Sequence, residues 1–217
     1  MEKLPVYKLV FDPNVEDDGV QAIALVDSPA TEVNWFKFND SKPLVFAKDE
    51  DKRMITGPIM LANTPIYRYD NSLGEYYVVF EIETIEAMVK KFFKENRIAS
   101  LNEMHNPNQP VDNVFIVESW IITDPTSDKS TALFGELPIG TWMATFYVED
   151  EQYWNDKIKS DEFRGFSLEG LFDLKLNKQE PEVIELDDDI IKILEDIANN
   201  DELSEEEILK QIEDALK

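Results

Sequence analysis

A β-rich α+β domain with an acidic helical tail is the fold class this sequence predicts, and three observations carry that reading. Residues 1–179 contain six segments rich in β-branched and aromatic side chains, separated by Gly, Pro and Asn/Asp clusters. Two intervening segments space their apolar residues by three and four rather than by two. Beyond Pro181 glycine and aromatic residues vanish and acids crowd in.

Strands are expected at Val6–Phe11, Arg53–Leu61, Glu75–Glu81, Val114–Thr123, Thr141–Val148 and Phe163–Leu176. Clusters such as Asp12-Pro13-Asn14, Asp70-Asn71 and Asp124-Pro125 mark their ends, because these side chains bond nearby backbone or fix φ. Over Glu83–Asn96, Ile85, Met88, Val89, Phe92 and Phe93 fall on one helical face, with Thr84 as a candidate cap. Asp150–Ser160 reads as a shorter helix with Tyr153, Trp154 and Ile158 turned inward. Asp40–Lys52 reads as a surface linker in which Leu44–Phe46 could pair as a short strand. Ser127–Ser130 reads as a mobile polar loop. Six or seven strands with two helices suggest a β-barrel or a strongly curved sheet with the helices packed outside.

Residues 180–217 form a separate tail. It holds 15 acids against three lysines, a net −12 of the chain's −25. Ile190, Ile191, Leu194 and Ile197 make one helical stripe; Leu203, Ile208, Ile212 and Leu216 make another. Ser204 with Glu207 is a capping-box pattern, and Asp187-Asp188-Asp189 suits the positive end of a helix dipole. Two short amphipathic helices meeting near Asn199-Asn200 are expected. Their acids either face solvent or form a docking arm for another protein.

Composition narrows the chemistry. The 217 residues carry 46 acids against 21 bases, one histidine and no cysteine. Disulfides, thiol nucleophiles and thiolate metal sites are therefore excluded within the chain, as is a centre needing several imidazoles. The acid excess disfavours nucleic acid and anionic membranes as partners. No run of about 18 apolar residues and no basic-then-apolar leader occurs, which predicts a soluble, unexported chain.

Three residues stand out as candidates for chemistry. His105, in Glu103-Met104-His105-Asn106-Pro107, is the chain's one imidazole and so its one candidate histidine base. Alone, it fits a surface role as well as a catalytic one. Glu118 lies in Val114–Ile122, apolar on both faces; strict alternation puts its carboxylate with Ile116 and Trp120 in a covered strand. A buried carboxylate there needs a partner, and an imidazole it orients would serve. A strand-end glutamate reaching solvent or an arginine fits equally. Ser167 lies in Gly165-Phe166-Ser167-Leu168-Glu169-Gly170. This is not the nucleophile elbow Gly-x-Ser-x-Gly, because the second glycine comes one residue late. The flanking glycines suggest a bend or a close backbone approach, and a buried strand serine is the plain reading.

The run from Val148-Glu149-Asp150 through Tyr153-Trp154 and Lys157-Ile158-Lys159-Ser160 to Gly165-Phe166-Ser167 resembles the XkdF-like phage prohead serine proteases. There an acidic stretch, a tryptophan-bearing helix and a Gly-Phe-Ser strand follow at this distance. Ala24-Leu25-Val26-Asp27-Ser28-Pro29-Ala30, Gly57-Pro58-Ile59-Met60 with Pro65-Ile66-Tyr67-Arg68, Val117–Ile121 and Gly140-Thr141-Trp142-Met143 look like the same family. The likeness runs from about residue 4 to 176.

The resemblance implies a fold similar to herpesvirus-type maturation proteases, a closed β-barrel wrapped by helices. It implies Ser167 as nucleophile and His105 as base, with no metal or cofactor. Herpesvirus enzymes use a second histidine that this chain lacks, so the third member falls to Glu118 on the buried-carboxylate argument, with Asp173 and Glu169 as weaker choices. The implied substrates are the scaffold and other head proteins of an assembling phage, cut inside the prohead in the host cytoplasm, and a homodimer is implied as well. The rival readings are a catalytically silent barrel that binds scaffold or capsid, and an acidic mimic of nucleic acid that binds a basic partner.

Overall fold

The computed structural model describes residues 4–27 and 44–176; the acidic tail and the Ser28-Pro29-Ala30 part of the family-like motif lie outside them. In chain order come β1 (Val6–Val10), β2 (Gly19–Val26), β3 (Ala47–Asp49), β4 (Met54–Met60), β5 (Ile66–Asp70), β6 (Gly74–Val79) and α1 (Ile82–Lys94). Then follow β7 (Leu101–Glu103), β8 (Asn106–Pro110), β9 (Val114–Ile121), α2 (Thr131–Phe134) and β10 (Trp142–Val148). After α3 (Glu151–Tyr153) and a π-helical turn, Trp154–Lys159, the described chain closes with β11 (Gly165–Leu171) and β12 (Asp173–Leu176).

The closed barrel is not formed. The strands lie in three separate four-stranded sheets, ordered β12-β1-β6-β5, β3-β4-β10-β9 and β11-β2-β7-β8. A barrel needs a ladder that continues across every edge, and these edges stop it. Pro107 and Pro110 on the edge strand β8 carry no N–H to offer, and β3 is three residues long. Two pairs, β1–β6 and β2–β7, run parallel, which breaks an up-and-down order. The single strand expected over Phe163–Leu176 is instead two, β11 and β12, in different sheets. Sequence reasoning also passed over β2, β5, β7 and β8.

One core joins the sheets. Ile23, Leu25, Ile55, Trp142, Ala144 and Phe146 are inaccessible to solvent. Phe166 packs on Phe46 at 5.4 Å and on Phe146 at 4.7 Å between ring centres. Gly57 makes room there, since a Cβ on it would stand 3.1 Å from the Phe166 ring. The segment read as a surface linker thus contributes a buried Phe46, and its strand lies at Ala47–Asp49, just after Leu44–Phe46. Helix α1 drives Ile85, Met88 and Phe92 into the same core, with Phe92 edge-on to Trp142. Its N-cap is Glu81, without a side-chain bond, so Thr84 sits inside the first turn and does not cap it.

The Ser127–Ser130 loop is tied down by side chains. Ser127 Oγ and Thr126 Oγ1 each donate to Asp124 at 2.7 Å. Ser130 Oγ and Trp120 Nε1 donate to Asp128 Oδ1 at 2.6 and 3.1 Å, and Ser130 is fully buried.

Candidate active site

The sheet β11-β2-β7-β8 brings two of the three predicted residues onto one side. Along β11 the core takes Phe166 and Leu168, so alternation sends Ser167 and Glu169 to the opposite face. The registers Ser167↔Ala24 and Ala24↔Asn102 line Ser167, Ala24 and Asn102 in one row across β11, β2 and β7. Alanine at the centre of that row is the smallest side chain with a Cβ, which leaves the lane over β2 open to longer neighbours.

Glu169 lies beside a β-bulge. The register steps from Glu169↔Ala22 to Gly170↔Val20, so Gln21 is the extra residue on β2. At the bulge the strands come close: a Cβ on Gly170 would lie 2.2 Å from the carbonyl oxygen of Gly19. This is the close backbone approach that the glycines flanking Ser167 suggested.

His105 occupies the two-residue turn between β7 and β8. Met104 and His105 both take left-handed φ, 51° and 59°, in a hairpin geometry that favours Asn-Gly. Left-handed backbone costs roughly 1–2 kcal/mol for such residues. Strain of this kind collects at functional sites. The turn brings His105 Nδ1 to 3.9 Å from Glu169 Oε2, within ion-pair reach but longer than a hydrogen bond. The same Oε2 accepts a 2.5 Å hydrogen bond from Asn102 Nδ2. Among the described residues, no hydrogen bond joins Ser167 Oγ to His105.

Glu118 lies elsewhere, and the reason is a second bulge. Between β9 and β10 the register steps from Thr145↔Glu118 to Phe146↔Ile116. Val117 is the extra residue, so alternation reverses there and Glu118 leaves the face of Ile116. Its side chain is 55% exposed and ion-paired with Lys129, whose ammonium also sits over the Trp120 ring. Of the two readings of Glu118, the buried carboxylate that orients the imidazole is corrected, and the glutamate reaching solvent is the one observed, with a lysine as its partner. Asp173 is exposed at the start of β12, in another sheet. Of the three carboxylates weighed, Glu169 is the one beside the imidazole.

Asn102 was missed by sequence reasoning. It is 5% exposed. An asparagine three residues before a histidine carries no signal until the pairing of β7 with β2 is known. On the other face of β7, Glu103 neighbours Tyr153, whose phenol is pushed up by burial first and by Glu103 second. Among the described residues no group of three or more His, Asp or Glu side chains could hold a metal ion. No helix there is long and apolar enough to cross a membrane.

Ser167 thus lies in the same sheet as the strands and turn that carry the His105–Glu169 pair. Residues 42–175 match the family model described as "Putative phage serine protease XkdF", and the chain belongs to that family. No curated protein and no solved structure matches the chain.

Proposed function

We propose that the chain is a serine endopeptidase that cuts the scaffold and other head proteins during phage prohead maturation. The observation that carries the reading is the approach of Glu169 Oε2 to His105 Nδ1, on the sheet whose strand β11 carries Ser167. In this reading Glu169, not Glu118, holds the imidazole with its proton on Nδ1. The Nε2 lone pair then takes the Ser167 hydroxyl proton as Oγ bonds to a peptide carbonyl carbon. The proton passes to the leaving amine as the C–N bond breaks, and water repeats the sequence to free the acid. Family membership over residues 42–175 supports the peptidase class. The scaffold substrate, the homodimer and the prohead location in the host cytoplasm rest on the family's character.

The test is labelling with a fluorophosphonate probe at several protein concentrations, with scaffold co-expressed. Native protein should label and shorten the scaffold, while Ser167→Ala and His105→Ala should do neither. Scaffold left intact, with no labelling at any concentration, would refute the reading. A second reading is a catalytically silent module that binds scaffold or capsid. What favours it is the missing hydrogen bond between Ser167 Oγ and His105 among the described residues, although such bonds often tighten only when substrate is bound. Scaffold that co-purifies uncut with both native protein and Ser167→Ala would decide for it.

A further inference from the structure

We propose that Asn102 is the positioning residue of this centre, fixing the Glu169 carboxylate so that it holds the proton of His105 on Nδ1. The inference rests on the reading of Ser167 and His105 as nucleophile and base, and it adds a fourth residue to that site.

Three observations carry it. First, Asn102 Nδ2 and His105 Nδ1 address the same oxygen, Glu169 Oε2, at 2.5 and 3.9 Å. An amide donor can face a carboxylate only through its NH₂, so the orientation of Asn102 is set by chemistry. Second, Asn102 is 95% buried by its 5% exposure, and its Oδ1 is a buried acceptor with no hydrogen-bond partner among the described residues. A buried acceptor left unpaired works against folding. Leucine at this place would avoid that cost, so the asparagine is explained by its donor and not by its packing. Third, Glu169 sits beside the Gly170 bulge on one strand and Asn102 in register with Ala24 on another. Glu169 is one-third exposed. A carboxylate at a bulge and partly in water would sample several rotamers without an anchor, and Asn102 is that anchor.

The consequence is a defined tautomer. With Oε2 held, the carboxylate accepts Nδ1–H and leaves Nε2 without a proton. With Oε2 free, the proton distributes between both nitrogens and the base is available only part of the time.

Because His105 is the chain's one histidine, ¹⁵N-histidine labelling reports its tautomer without reference to activity. Neutral native protein should show the proton on Nδ1. Asn102→Leu should lose most of that preference while urea unfolding shows an intact fold, and the fluorophosphonate labelling rate should fall by about tenfold or more. Removing the orienting carboxylate of a serine-protease triad outright costs roughly 10⁴-fold.

Should Asn102→Leu not fold, Asn102→Asp replaces it. That variant puts a second acceptor where the amide donor stood, so the neutral imidazole should lose the Nδ1–H preference just as in Asn102→Leu. A residue that merely packs would leave the tautomer of the neutral imidazole unchanged in either variant. The proposal is overturned if the native proton sits on Nε2. It is equally overturned if a folded Asn102 variant keeps the native tautomer of the neutral imidazole. Absence of probe labelling in native protein with the tautomer pattern as expected would instead refute the peptidase reading and leave the Asn102–Glu169–His105 relation standing.

Discussion

Gly170→Ala is the most direct probe of how the fold aims this site. A Cβ at residue 170 would stand 2.2 Å from the Gly19 carbonyl oxygen, and real Cβ contacts do not fall below 3.0 Å. The obstacle is backbone, so no side chain can swing aside; β11 must retreat from β2 by at least about 0.8 Å. Overpacking of this size typically costs about 1–3 kcal/mol. The displacement falls on the residue next to Glu169, whose gap to His105 is already 3.9 Å. A misplacement near 1 Å can cost about 10²-fold in rate. The assay pairs urea unfolding with the probe-labelling rate of Ser167. Gly74→Ala is the control. Its φ of 75° makes alanine strained, but nothing lies within 4 Å and the turn belongs to another sheet. It should cost about 1–2 kcal/mol with the labelling rate unchanged. If Gly170→Ala labels at the native rate, the bulge does not aim Glu169 and the argument fails.

Four further outcomes follow from particular contacts. Glu169→Gln should lower the labelling rate by roughly 10²–10⁴-fold, whereas Glu118→Gln should leave it within about a factor of two and cost under about 1 kcal/mol, since the pair with Lys129 is exposed; equal losses in rate would restore Glu118. Lys91 is 7% exposed and its ammonium donates to the carbonyls of Val15, Glu16 and Asp18, the loop that starts β2. Lys91→Met should destabilise by about 2–3 kcal/mol in urea and speed amide exchange from Gly19 to Ile23; unchanged exchange would show that water replaces the ammonium freely. Asp124 is held down at about 2, chiefly by the Ser127 hydroxyl, then by Thr126. Its contribution is present above the ordinary carboxylate range and is lost as pH falls toward 2, so Trp120 fluorescence should report loosening of that loop in acid, and Asp124→Asn should reduce the pH dependence to the share of Asp128, the acceptor for Trp120 Nε1. Met104→Asn should stabilise the left-handed turn by about 0.5–1 kcal/mol, because asparagine tolerates φ near 51°; a loss of stability would mean that the half-exposed methionine contributes packing.

Much of this was legible where the period of the chain is regular. The glycines around Ser167 marked the close backbone approach found at Gly170, and the helical spacing of Ile85, Met88 and Phe92 placed α1. The misreadings sit where regularity breaks. One extra residue at Val117 turned Glu118 outward, and a strict period of two cannot register such a bulge. The barrel was inferred from strand content, but closure is decided at edges, by Pro107 and Pro110 and by parallel pairing of distant segments. Asn102 and Glu169 are 67 residues apart and meet only through β2.

The irregularities themselves make an argument about how the site is built. A flawless sheet would hold Glu169, Asn102 and His105 at fixed pleat positions, with a tight turn of Asn-Gly type at residues 104 and 105. Instead the chain keeps a left-handed histidine, a bulge that only glycine permits at residue 170 and an asparagine with an unpaired oxygen. Each feature alone lowers stability, and all three converge on one carboxylate oxygen or its neighbour. The opposite face of the same strand carries Phe166, wedged between Phe46 and Phe146 over Gly57. A stiff aromatic layer on one side therefore supports a strained polar layer on the other. Phe166→Leu should thus disturb the site as well as the core, a coupling that a site on a free-standing loop would not show.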